Sequence, residues 1–169
     1  KFKTFWGAFN RVFKEGLRAD FERKDRIMDL LHYETSTAEA DTLHTLDSYI
    51  ERMDEKQPEI YYVSGDSREN ALQNPKLEIF KKHNIEVLLF LDPVDEFVIS
   101  DGFTEPKYKD KNIKEIDQAD LSWIDDKEAD LDGEKASAEE VESLIKVMKG
   151  FLGEQVADVK ESSRLVNSP

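Results

Sequence analysis

The stretch Glu86-Val87-Leu88-Leu89-Phe90-Leu91 constrains the fold of this chain more than any other. An amphipathic helix or a one-sided strand would interrupt it with polar residues. A nearly unbroken apolar run of this length suits a central strand covered on both faces. The chain must therefore supply two covering layers. The run ends abruptly at Asp92-Pro93-Val94-Asp95. That order gives a helix an N-cap, a proline at its first position and an acid where carboxylates meet free backbone N–H groups.

Two further runs have strand character. Ile60-Tyr61-Tyr62-Val63 is β-branched and aromatic and leads into the turn Ser64-Gly65-Asp66-Ser67. Asn112 to Ile116 is a third. A helical stretch follows Ser67, and Asn74-Pro75 opens another with Leu77 and Phe80 inward. Strands alternating with helices predict a small three-layer α/β lobe with a mostly parallel sheet.

The first fifty or so residues read as helices. Phe2, Phe5, Trp6, Phe9, Phe13 and Leu17 recur at spacings of three and four, which predicts a core-facing stripe. Asp25 opens a second helix with Ile27, Leu30 and Leu31 inward. Thr45 caps a third that carries Tyr49, Ile50 and Met53, and Pro58 closes it. Together they predict a compact helical bundle ahead of the lobe.

Downstream, Asp117 to Lys135 is acidic and poor in large apolar residues apart from Trp123, the pattern of a mobile loop. Ser137-Ala138-Glu139-Glu140 is a capping box for a helix carrying Val141, Leu144, Ile145 and Met148, ending at Gly150 or Gly153. Val156 to Leu165 predicts a last edge strand.

Charge narrows the function. Lys+Arg 24 against Asp+Glu 38 leaves a formal net charge of -14. Such an excess repels nucleic-acid phosphates and anionic lipid, so neither nucleic acid nor membrane is an expected partner. Without cysteine, disulfides and thiolate chemistry are excluded. No apolar run approaches the roughly 20 residues that span a bilayer, and no signal peptide is recognisable. The chain starts at Lys1 inside an amphipathic pattern and stops at Ser168-Pro169 after a strand-like stretch, so a fragment of a longer protein is expected.

Catalytic patterns are scarce. His32, His44 and His83 stand far apart, none at metal-ligand spacing, and no GxSxG, Walker A or GxGxxG pattern occurs. Ser64-Gly65-Asp66-Ser67 is open to two readings: a phosphate cradle, or a tight turn with Asp66 or Ser67 as a helix cap. Asp92, at the carboxyl edge of a buried strand, stands where a phospho-acceptor aspartate would, or is simply a cap. A stand-alone receiver-like domain and an acidic adaptor domain are therefore the alternative readings from spacing alone.

Several segments carry a resemblance. They are Phe9-Asn10-Arg11-Val12-Phe13-Lys14-Glu15-Gly16 with Asp20-Phe21, then Leu30-Leu31-His32-Tyr33-Glu34-Thr35-Ser36, and Leu46-Asp47-Ser48-Tyr49-Ile50-Glu51-Arg52-Met53. Further on come Gln57-Pro58-Glu59-Ile60-Tyr61-Tyr62-Val63-Ser64-Gly65-Asp66-Ser67 and Glu86 through Asp92-Pro93-Val94-Asp95-Glu96-Phe97. Leu152-Gly153, Val156, Val159 and Ser163-Arg164-Leu165-Val166-Asn167-Ser168-Pro169 complete the set. In this order they resemble the later middle domain of the Hsp90 family of molecular chaperones, in its bacterial form. The chain departs from the family at Lys109-Asp110-Lys111, where a glycine turn is usual.

The resemblance implies a helical connector at 1–57 and a small α/β lobe at 58–162, with 117–135 as its acidic loop. Residues 163–169 would begin a truncated C-terminal dimerisation domain. It implies a piece of an ATP-dependent chaperone that links the ATPase half to the dimer base and helps bind unfolded or partly folded client proteins. No catalytic residue, cofactor or metal site is carried onto this fragment; ATP and magnesium belong to the parent. The fragment would be monomeric and the parent a cytoplasmic homodimer. Its partners would be clients, the parent's own N-terminal and C-terminal domains and the Hsp70 system. The client-contact candidates are Glu96, Phe97 and Ser100. Val94 and Val98 would face the core and turn Phe97 outward, the alternative being that Phe97 is itself core.

One outcome follows for nucleotide. The chain has no phosphate-binding glycine loop with an adjacent cation, and its charge opposes a triphosphate. Calorimetric titration with Mg-ATP should therefore show no saturable binding tighter than about 100 μM.

Overall fold

The computed structural model describes residues 1–99, 106–124 and 138–152, together with positions 156 and 159. The apolar run supplies strand β4 (Leu88–Phe90), in the middle of a six-stranded sheet. Ahead of it come helix α1 (Phe2–Ala19), a 3-10 turn (Phe21–Arg23), α2 (Lys24–Met28), β1 (His32–Thr35), β2 (His44–Thr45) and α3 (Leu46–Ile50). Then follow β3 (Glu59–Ser64), α4 (Arg68–Leu72), a 3-10 turn (Pro75–Leu77) and α5 (Glu78–Lys82). After β4 lie α6 (Val94–Ile99), β5 (Lys107–Tyr108), β6 (Lys111–Glu115) and α7 (Ala138–Leu152).

The sheet order is β2-β1-β4-β3-β6-β5. The three strands expected from the sequence are its parallel centre: β3 pairs in parallel with β4 on one side and β6 on the other. Their side chains alternate between two cores, as strand geometry requires. Ile60, Leu88 and Phe90 face a core shared with α1, α2 and α3, while Tyr61, Val63 and Leu89 face one built on α4 and α5. This is the three-layer α/β arrangement, and it explains why the 86–91 run is apolar almost throughout.

The sheet is mixed, however, not mostly parallel. Beyond the centre, β1 pairs antiparallel with β4, β2 with β1 and β5 with β6. The expected helical bundle over the first fifty residues is corrected at the same place. His32-Tyr33-Glu34-Thr35 is a strand whose Tyr33 and Thr35 are buried and whose neighbours are more exposed. Four residues of period-two pattern were too short to stand out between helices. The β5–β6 hairpin turns through Lys109, which adopts the left-handed region at φ 54 without being glycine.

The aromatic stripe of α1 is only partly a core stripe. Trp6 and Leu17 are buried and Phe13 packs against the same core, but Phe2, Phe5 and Phe9 stay about half exposed. They stack along the helix instead, Phe2 on Trp6 and Phe5 against Phe9. A second correction concerns the start of the acidic segment. Ala119 is buried and the Trp123 indole N–H donates to the Tyr61 hydroxyl at 3.1 Å, so 117–124 is packed against the second core. Residues 125–135, the capping serine Ser137 and the expected edge strand, positions 156 and 159 aside, lie outside the described residues.

Four of the expected caps form, whereas Asp25 lies inside α2 and is not its cap, and Leu30 is exposed rather than inward. Side-chain oxygens of Thr45, Ser67, Asn74 and Asp92 accept from the backbone N–H groups of Ser48, Asn70, Lys76 and Val94. Ser64-Gly65-Asp66-Ser67 is thus a turn capped by Ser67. Gly65 is required there, because a Cβ would stand 2.8 Å from the Ala71 backbone nitrogen.

A buried hub ties α3 to the sheet. The Tyr49 hydroxyl donates to the Glu86 carbonyl at 2.6 Å and accepts from Gln57 Nε2 and the Tyr61 N–H. Burial pushes the phenol well above its ordinary pKa. Next to it Arg52 grips Glu86 with two bonds of 2.9 and 2.8 Å. Burial is the largest influence and works to raise the Glu86 carboxyl, but the Arg52 bonds and charge, together with Thr35 and His44, make the net shift downward. Tyr49→Phe orphans buried polar groups and should cost about 1–3 kcal/mol in urea denaturation. Tyr33→Phe should be neutral or slightly stabilising, since the buried Tyr33 hydroxyl has no hydrogen-bond partner among the described residues.

Candidate functional site

Helix α6 leaves the carboxyl edge of β4, and a reciprocal cap starts it. The Asp92 N–H donates to Asp95 Oδ2 and the Val94 N–H to Asp92 Oδ1, each at 3.1 Å. Asp92 is thereby a cap, as one of the two sequence readings has it. The other oxygen of Asp95 meets the Lys14 ammonium of α1 at 2.5 Å. Both side chains are almost wholly buried, at 2% and 7% exposure. Burial pushes the Asp95 carboxyl above the usual carboxylate range, and Lys14 pulls it only part of the way back. The ammonium also stands 5.7 Å from the centre of the Tyr33 ring.

The pair fixes which way α6 faces. With Asp95 turned inward and Val94 packed against the first core, the next two residues point to solvent. Phe97 is 61% exposed, so it is not a core residue. Its ring lies under the Arg18 guanidinium of α1, 4.0 Å from centroid to Cζ. The Glu96 carboxylate accepts a hydrogen bond from the Ser64 hydroxyl at the end of β3. Glu96 and Phe97 thus lie side by side on the exposed face of α6. Ser100 and the side chain of Val98 lie outside the described residues.

Between α1 and α6 runs an open groove of about 670 Å³, lined by Arg11, Glu15 and Arg18 on one side and by Asp92, Pro93, Val94 and Phe97 on the other. Arg11 is paired with Glu15 at 2.8 Å. Beside the groove, over the ends of β3 and β4, a smaller hollow of about 300 Å³ contains Ser64, Gly65, Phe90 and Glu96. The Tyr62 ring stacks on Phe90 there, and burial with the charges of Glu115 and Glu96 pushes its phenol up to about 12. Burial likewise raises the Glu115 carboxyl, helped by Asp117 and Glu96.

Among the described residues no group of three or more His, Asp or Glu side chains is placed to hold a metal ion. The His32 Nδ1–H donates to the Leu30 carbonyl at 2.7 Å, and the ring packs against Trp6. What the edge presents is an exposed aromatic, a carboxylate, a guanidinium and an apolar groove floor. Sequence reasoning did not single out Arg11, Lys14 or Arg18. Their spacing of three and four along α1 was the available signal: a cationic stripe beside the aromatic one, in a chain dominated by acids.

A family model described as Hsp90 protein matches residues 1–169. The Chlorobaculum tepidum chaperone protein HtpG is 46% identical over 169 residues, which is 100% of this chain and 26% of that protein. The Nitrosomonas europaea HtpG is 40% identical over 173 residues, with the same coverage of 100% and 26%. The chain thus spans about a quarter of the length of these curated relatives. Among solved structures, the middle domain of a Plasmodium falciparum heat shock protein is similar with a TM-score of 0.62 and 36% identity. That match covers 68% of this chain and 47% of the other.

The buried pair has a distinctive mutational signature. Lys14→Met alone leaves Asp95 buried without its cation and should cost about 3–5 kcal/mol in chemical denaturation. The double variant Lys14→Met with Asp95→Leu removes both charges and should recover most of that loss.

Proposed function

The chain belongs to the Hsp90 protein family, and from that premise we propose that it is the later middle segment of an ATP-dependent chaperone that contacts unfolded or partly folded clients through α6. Glu96, Phe97 and Ser100 form the contact. The observation that carries this reading is the exposure of Phe97, 61%, on a helix whose neighbouring residue is anchored in the core. An aromatic held out beside a carboxylate offers unfolded segments apolar contact and a hydrogen-bond acceptor without demanding one sequence.

In the parent, 1–57 connects the ATPase half to the lobe of 58–162, and 163–169 begin the dimerisation domain. Because β1 of the connector is hydrogen-bonded to β4 of the lobe, the two move as one lever. ATP and magnesium act in the missing upstream part. The parent is a cytoplasmic homodimer that works with the Hsp70 system, while this segment alone is monomeric and has no catalytic residue. Asp92, capping α6 and part of the groove, gives the receiver-like alternative no support.

Phe97→Ala separates contact from core. A contact residue at this exposure should change stability by no more than about 1 kcal/mol, the scale of its cation–π partner. A core aromatic would cost about 3–5 kcal/mol. The variant should keep its melting temperature and lose most of its affinity for an unfolded model protein; unchanged affinity overturns the client-contact reading.

A further inference from the structure

Arg18 is an exposed cation with an unusual setting. Its guanidinium lies on the Phe97 ring, and no carboxylate among the described residues forms an ion pair with it. The other charges of the groove are engaged: Arg11 with Glu15, and Asp92 with the Val94 N–H. A guanidinium stacked on an aromatic keeps its in-plane N–H fork free, and that fork matches a carboxylate. Stacking also fixes the orientation of the fork before any ligand arrives, which lowers the entropy lost on binding. Directly beside it, Pro93, Val94 and the open part of Phe97 form an apolar floor.

We propose that the α1–α6 groove selects client segments in which an aspartate or glutamate stands next to an apolar or aromatic residue, with Arg18 as the specificity-determining side chain. This rests on the client-contact reading of α6 and adds a chemical preference to it. The apolar client side chain lies on Pro93 and Phe97 while its neighbouring carboxylate takes the Arg18 fork. The preference runs against the overall charge of -14, which by itself would draw basic segments. At physiological ionic strength screening acts over about 8 Å, so the charge in direct contact decides the preference and the distant acids do not.

The test uses two labelled, unstructured peptides identical except for one residue beside a phenylalanine, glutamate in one and lysine in the other. Fluorescence anisotropy with the whole chain reads their affinities. The glutamate peptide should bind about two- to fivefold tighter, the range of a partly exposed charge pair. Arg18→Glu should invert the order, and Arg18→Ala should abolish the difference. Arg18→Lys should keep only part of it, because the planar fork is lost. If Arg18→Glu leaves the order unchanged, or the native chain does not discriminate while Phe97→Ala still abolishes binding, the selectivity claim falls and the client-contact reading stands. If Phe97→Ala alters neither peptide's affinity, the contact reading falls as well.

Discussion

The ion pair between Lys14 and Asp95 is the contact on which the rest of the arrangement depends. It joins the middle of α1 to the first turn of α6, with both side chains out of water. Two buried charges at this distance are not a free gain in stability, since each gives up its hydration. The raised Asp95 carboxyl reflects that cost directly. What the pair supplies is orientation. A hydrophobic contact at this place would allow α6 to rotate, but a carboxylate with one oxygen on an ammonium and the other on the Asp92 N–H accepts one position. Everything proposed for Glu96, Phe97 and Arg18 follows from that rotation.

The sheet supplies the stiffness behind the contact. Parallel pairing of β4, β3 and β6 buries the centre from both sides, and the Tyr49 hub locks α3 to the ends of β3 and β4. A force applied along α1 reaches α6 through the ion pair and reaches the sheet through Trp6 and Leu17. If α6 holds a client as proposed, this coupling would let the holding surface turn together with the body behind it.

Much of this was legible in the sequence because it is written in local signals. The 86–91 run gave the buried strand, Asp92-Pro93 gave the start of α6, and Thr45, Ser67 and Asn74 are the caps they were read to be. Resemblance to the family then pointed to Glu96 and Phe97, which spacing alone could not choose. The misreadings have a common cause, since each depends on a partner distant in sequence. His32–Thr35 is a strand because β4 offers it an edge, and 117–124 is packed because Tyr61 receives Trp123. Half of the α1 aromatic stripe is exposed because the core contacts a face narrower than the stripe. Lys14 and Arg18 escaped notice for the same reason: their partners, Asp95 and Phe97, lie some eighty residues away.

The most direct measurement is to map where an unfolded protein touches the chain, by NMR chemical-shift perturbation on the isotopically labelled 169-residue molecule. The account predicts the largest perturbations at Pro93-adjacent Val94, at Glu96 and Phe97, and at Arg18 across the groove. Two other exposed apolar surfaces provide the contrast, the outer aromatics of α1 at Phe5 and Phe9 and the face of α7 at Leu144 and Phe151. Perturbations confined to those surfaces, with 94–97 silent, would contradict it.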